Sequence, residues 1–321
     1  TTHYIFGMKA YNDMPFTPLK HTIAKYRWLY QLGLQGPDMF FYNIPILRHR
    51  DYRNVGSYMH EHKVNAFFEC CLRRIGTIRS RQQQEEAISY LAGFMNHYIA
   101  DSICHPYVYG RIGYPVDAPT SMHHGMHAHL ENELDAILLW KYKKKKPSEF
   151  NQTATICLNG QEIQFISHFL ASCINETYYP ITYRNNFQVT PAMVHRSIWA
   201  LRFGCRTLSD KNGKKKFGIA QVESIFVNHP VASAKMVTDS VTDYRSSCNL
   251  NHEAWSNPWD PTRVSTASFV DLFHETLDKC SRVYALLNSA VTDNMPLDKQ
   301  DLSPLLTELG NESYHSGLPV D

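Results

Sequence analysis

The 321-residue sequence predicts an all-α fold, a single multi-helix domain with at most a small β-hairpin in its second half. Three observations lead there. Apolar residues recur at helical spacing in segment after segment. Strand signals are sparse. No internal repeat and no linker-like stretch divides the chain, so residues 1–321 are expected to form one unit.

Taken in order, residues 16–35 carry apolar side chains at helical intervals and close at Gly36-Pro37, a helix stop. A loop rich in Pro, Arg and Tyr should follow to about residue 57. Residues 58–80 read as an amphipathic helix. Residues 84–105 read as a long helix that is apolar almost all round, and therefore central. A Gly/Pro loop is expected over 106–122, then a helix over 123–145 with a polar start and an apolar end. Lys143 to Lys146 read as its solvated end, where cations suit the helix dipole. In the second half, 162–178, 190–209 and 264–291 have helical spacing, the last through Phe269, Leu272, Phe273, Leu277 and Val283. Residues 210–218 read as an exposed loop, and 245–262 as an ordered irregular segment. The hairpin candidate is 153–158 with 161–166, around Asn159-Gly160.

Composition narrows the function. Apolar residues make up 43% and charged residues 19%, a globular balance. A net charge of +2 gives no electrostatic argument for a polynucleotide, so no nucleic-acid partner is predicted. No run of eighteen apolar residues is present to span a bilayer. Eight cysteines without a CxxC pair read as thiols of a reducing compartment. With no basic, apolar-cored leader in view at the start, a cytoplasmic location is expected, with a secreted protein whose leader has been removed as the alternative.

Histidine is the residue that stands out. Of 17, six lie between His97 and His129, interleaved with Asp101, and Glu131, Glu133 and Asp135 follow closely. Imidazole mixed with carboxylate is the donor set of a metal site. His97, Asp101 and His105 stand at i, i+4 and i+8 of the central helix. Each is only about 40° round from the last, so all three project from one face. Asp101, between two imidazoles, is placed to bridge two ions. A solvated polar stripe is the bland alternative, disfavoured by the apolar residues around it, since buried imidazole and carboxylate need partners. His127 and Glu131 repeat the i, i+4 spacing on the next helix. His129 and Glu133 do so about 200° away, and Leu134 and Leu138 favour the His127 pair as the inward one. Asp135 could orient a ligand from behind. His3, Asp38 and His60 are single residues whose spacing alone assigns them nothing. His168, His195, His229, His252, His274 and His315 are not singled out either.

Five motifs in order, THYIFG, LGLQGPDMFFY, YMHEH, YLAGFMNHYIADSICHPY and HAHLENELD, resemble the zinc-dependent phospholipase C family over residues 1 to about 145. The likeness continues more loosely in SFVDLFHETLDKC. The resemblance implies an all-helical fold with two to three zinc ions, a metal-binding half at 1–145 and an additional helical half at 146–321. Carried over by motif, Asp38, His60, His97 and Asp101 bind one ion. His105, His127 and Glu131 bind a second, and His3 and Asp101 a third. In well-known members the third ion is also held by the amine of the first residue, a Trp; here that role falls to Thr1. The sequence departs from the family pattern in the shorter spacing from that residue to its first His, in the tighter His97-Asp101-His105 interval, and in a longer C-terminal half.

The chemistry implied is hydrolysis of a phosphate ester by a hydroxide bridging two metals, with Asp38 as general base. The substrate implied is a phospholipid, or another small phosphate ester, met in transient contact with a membrane surface. The stretch FFYNIP (40–45), with Tyr52 and Tyr58, suits either core packing or the wall of a pocket for a choline-like cation or an acyl chain. Two other readings keep the metals. One is a single-strand nuclease or 3′-nucleotidase on a similar three-zinc scaffold. The other is a metal-stabilised binding protein without catalysis.

Overall fold

The computed structural model describes residues 1–43, 54–179, 187–207, 210, 214–223, 233, 236–239, 241 and 243–321. It begins with a helix ahead of the first one expected from the sequence, α1 (Thr2–Asp13). The expected helix 16–35 is two helices, α2 (Pro18–Lys25) and α3 (Arg27–Gly33). Thr17 caps the first by accepting from the Lys20 amide, and Pro18 sits at its first position. The break falls at Tyr26, whose carbonyl takes a hydrogen bond from the Ser89 hydroxyl, 3.0 Å. Periodicity continues through such a bend, which is why the sequence reads as one helix. A 3-10 helix, Gly36–Tyr42, follows.

The expected helix 58–80 is also divided, into α4 (Val55–Glu61) and α5 (Val64–Thr77). Lys63, at φ 50°, turns the chain between them. This places His60 in the last turn of a short helix rather than in the first turn of a long one.

The central helix is as predicted but longer, α6 (Arg81–Arg111), with Ser80 as its cap. Pro106 lies inside it and leaves the Ser102 carbonyl without its helical donor. Gly317 packs against that carbonyl so closely that a Cβ there would lie 2.5 Å from it. After a loop come α7 (Ser121–Lys143), α8 (Gly160–Tyr178) and α9 (Pro191–Thr207). Lys144, beyond the end of α7, is exposed, as the solvated-end reading expects.

Three expectations fail in the second half. The segment 153–166 is no hairpin: Asn159 accepts from the Glu162 amide while Glu162 reaches back to the Asn159 amide, so Asn159-Gly160 starts α8 as a capping box. Part of the expected loop 210–218 is helical, in α10 (Lys214–Glu223). The segment read as irregular, 245–262, overlaps α11 (Tyr244–Ser247) and most of an antiparallel hairpin, β1 (Trp255–Asn257) with β2 (Asp260–Ser265). Trp255 pairs with Ser265 and Ser256 with Val264. The chain ends through α12 (Phe269–Thr292), capped by Ser268 with Asp271, and α13 (Ser303–Leu309). The fold is thus all-α with one two-stranded hairpin among the described residues. No helix among them is long and apolar enough to cross a membrane, and none of the eight cysteines is in a disulfide.

Packing converges on α6. Its first half, with Tyr90, Phe94 and Tyr98, joins a core completed by Leu29, Phe67, Phe68, Val283 and Leu287. Its second half, with Ala100, Cys104 and Tyr107, joins another core containing Phe6, Leu134, Leu138 and Phe273. α3 meets α6 at backbone distance. A Cβ on Gly33 would lie 2.1 Å from the Tyr90 carbonyl, and one on Gly93 2.1 Å from the Tyr30 carbonyl. The segment after α13 returns to α6, where Tyr314 is buried and Glu312 accepts from the Tyr98 hydroxyl at 2.5 Å.

Candidate metal centre

His97, Asp101 and His105 lie where the two cores meet along α6, and all three are buried. Asp101 is the hub. Its Oδ2 lies 3.0 Å from Nε2 of His97 and 3.9 Å from Nε2 of His60. Its Oδ1 lies 3.2 Å from Nε2 of His3 and 3.8 Å from Nε2 of His105. The two oxygens therefore face different sets of imidazoles. Asp38, His60, His97 and Asp101 bring ligand atoms within 4.8 Å of one another, and so do His105, His127 and Glu131. His3, on α1, stands on the Oδ1 side with its ring 4.1 Å from that of His97.

Backbone carbonyls fix the rings. Nδ1 of His60 faces the Gly56 carbonyl at 2.7 Å, Nδ1 of His97 the Leu34 carbonyl at 3.1 Å, and Nδ1 of His105 the Tyr314 carbonyl at 2.8 Å. A carbonyl only accepts, so each Nδ1 carries a hydrogen and each Nε2 points inward, where it offers a lone pair to a metal once its own proton is displaced. Nε2 of His97 and Oδ2 of Asp101 are both buried, and neither has a hydrogen-bond partner. A buried imidazole nitrogen and a carboxylate oxygen facing each other at 3.0 Å call for positive charge between them, a proton in the metal-free protein or a metal ion in its place. Nitrogen and carboxylate donors at this density fit zinc.

Asp38 reaches the first group because of Gly36. That residue adopts φ +48°, and a Cβ on it would lie 2.1 Å from the His97 ring. Asp38 Oδ1 is 3.3 Å from Nε2 of His60, and its side chain is 35% exposed, so it forms the open edge of the group. In the second group, Oε1 of Glu131 lies 3.2 Å from Nε2 of His105 and 3.1 Å from Nε2 of His127. His129 and Glu133 do face away: His129 is exposed and Glu133 accepts from the buried Ser247 hydroxyl.

The electrostatics follow from this crowding. Burial alone raises the pKa of Asp101, Asp38 and Glu131, but neighbouring imidazoles outweigh it and hold all three below the usual carboxylate range. Burial likewise lowers His105, but Asp101 and Glu131 lift it to about 10 in the metal-free protein. His97 is raised in the same way, whereas burial and His97 push His3 down to about 4.

Two expected positions differ. The Thr1 amine is not in either donor group; it lies 3.0 Å from Oδ2 of Asp135, whose Oδ1 accepts from the Thr2 amide at 2.6 Å. Asp135 accordingly anchors the start of α1, the helix that carries His3. Of the aromatic stretch, Phe40 is core, and Phe41, 36% exposed, places its ring 5.4 Å from that of His60. Tyr58 packs on His62, Tyr178 and Tyr179. Ile44, Pro45 and Tyr52 lie outside the described residues.

The sequence reading missed His315 and Tyr109. His315 stacks on His60 with ring centroids 4.9 Å apart and planes 10° apart. Its Nδ1 is 3.3 Å from the Tyr109 hydroxyl, and burial, then His60 and His105, hold its pKa well below the ordinary value. Tyr109 continues the stripe 97, 101, 105 by one more step of four, so its place was there to be read. His315 had no such signal, because a tertiary contact brings it.

A model of the family described as zinc dependent phospholipase C matches residues 2–182. No curated protein and no solved structure matches the chain.

Proposed function

This chain belongs to the zinc-dependent phospholipase C family, and on that premise we propose that it hydrolyses the phosphodiester between a phospholipid's glycerol and its head group. The family and the clustered donors support a metal-dependent hydrolase. The observation that carries the finer reading is the division of Asp101, one oxygen toward each of two donor sets. In this reading Asp38, His60, His97 and Asp101 hold one zinc, His105, His127 and Glu131 a second, and His3 with Asp101 a third.

Bound zinc supplies Lewis acidity, lowering the pKa of a coordinated water toward about 7 and offsetting negative charge at phosphorus. The chain's residues do the rest. Gly56, Leu34 and Tyr314 carbonyls hold the inward tautomer of three imidazoles. Asp38 stays ionised at neutral pH and stands at the open edge, where its carboxylate can take the proton of an attacking water. His315 and Tyr109 wall the space above His60 and His127 and leave Phe41 at the rim.

The test joins elemental analysis to turnover of p-nitrophenylphosphorylcholine, with and without chelation. Two or three zinc ions per chain and chelator-sensitive turnover are expected. Tightly held zinc with no turnover on any phospholipid would retire the substrate while keeping the site, and no tightly held metal would retire both.

A further inference from the structure

The helix α9 carries one continuous outward stripe that its packing does not use. His195, Arg196, Trp199, Phe203 and Arg206 are all exposed and follow the i, i+3, i+4 spacing of a single face. Trp199 is 63% exposed and Phe203 56%, and their rings stack on each other at 5.5 Å and 8°. Two large aromatic side chains held together in solvent bury little apolar surface in the fold and leave much to bury elsewhere. The charge on this helix has one sign. From Pro191 to Thr207 the helix has Arg196, Arg202 and Arg206 and no Asp or Glu, and none of these arginines is ion-paired among the described residues. The same combination recurs where α10 opens with Lys214, Lys215, Lys216 and Phe217, the last 66% exposed.

The inner side of this helix is bolted to the metal centre's edge. Asn43 donates to the Met193 carbonyl at 3.0 Å and to the Ser197 hydroxyl at 2.9 Å. A Cβ on Gly204 would lie 2.4 Å from the Tyr42 ring. Tyr42 ends the 3-10 helix that carries Asp38. Trp199 and Phe203 project a third to a half of a turn away from that packed side, at about 100° per residue.

We propose that the Trp199–Phe203 face of α9 docks on an anionic phospholipid bilayer. The rings would enter the headgroup layer, where amphipathic indole is favoured, and the arginines would meet lipid phosphate and carboxylate. Docking there brings the bilayer within about one helix diameter, roughly 10 Å, of the element bearing Asp38. The purpose of this surface rests on the phospholipid reading of the site; its binding does not.

Sedimentation of the zinc-loaded full chain with vesicles tests it, using phosphatidylcholine alone and phosphatidylcholine mixed with phosphatidylserine. The expected result is stronger binding to the mixed vesicles, weakened by salt. The double variant Trp199→Ala/Phe203→Ala should bind at least about tenfold more weakly. Arg196→Gln/Arg206→Gln should lose about fivefold per arginine. Both should turn over water-soluble p-nitrophenylphosphorylcholine like the unmodified chain, which separates surface from site. Wild-type protein that cleaves the soluble ester yet ignores anionic vesicles would overturn the docking face and leave the hydrolase reading standing. So would variants that sediment as the wild type does. Binding lost in both variants, with no ester cleaved by any form, would support the face and sink the phospholipid chemistry.

Discussion

Replacing Asp101 by Asn keeps its size and removes the charge that two sets of imidazoles share. D101N should therefore lose zinc and activity together, by more than the roughly 10–100-fold typical of a residue that only orients a ligand. Elemental analysis beside turnover checks this, and a fully loaded, active D101N would remove Asp101 from the hub. His105 gives a pH signature in the metal-free protein. Its folded pKa of about 10 lies above the unfolded value of about 6.5. Its protonated form thus stabilises the fold fully below about pH 6.5, and that contribution drains away as pH rises toward 10. Thermal melts of metal-free wild type and H105Q should differ most at pH 6 and converge toward pH 10. A gap that is constant across that range would contradict the pairing with Asp101 and Glu131.

Elements bring these side chains together through backbone contacts that tolerate no extra atom. Gly93 lets α6 touch α3, and α3 leads directly into Leu34, whose carbonyl orients His97. Gly93→Ala should cost about 1–3 kcal/mol, the range for overpacking a tight interface, and should lower zinc affinity as a secondary effect. Denaturant melts with zinc titration would show it, and an unchanged midpoint would mean the helices can part without consequence. The sequence made α6 legible because its 97, 101, 105 stripe runs through an apolar helix. It hid the breaks at Tyr26 and Lys63, since hydrophobic period does not register a single bent residue. It misread Asn159-Gly160, where one dipeptide serves a hairpin turn and a helix cap equally well.

Across the whole molecule, the donors that sequence motifs named, His3 to Glu131, lie together, because local spacing and ordered motifs encode them. The part of the wall that His315 supplies was not legible, because it comes from the far end of the chain. The segment after α13 holds His105 through the Tyr314 carbonyl, meets the His60 carbonyl through the Tyr314 amide at 3.0 Å, and is itself held by Asn257, which donates to the Ser316 carbonyl at 2.7 Å. Removing residues 311–321 should weaken zinc binding although every named donor stays. Asn257→Ala should do so more mildly, with a stability loss of about 1–3 kcal/mol from the unpaired carbonyl. Zinc titration of both forms decides; native affinity in the truncated chain would make the segment a bystander.

That return of the chain also sets a timetable for biogenesis. Roughly 180 residues separate Glu131 from His315. At a translation rate of about 5–20 residues per second, the donors wait on the order of ten to forty seconds on the ribosome before the segment that covers them emerges. Until that segment is free to fold back, His105 lacks the Tyr314 carbonyl and His60 lacks the stacked His315 ring, so the donor set reaches its final arrangement only after the end of the chain is available.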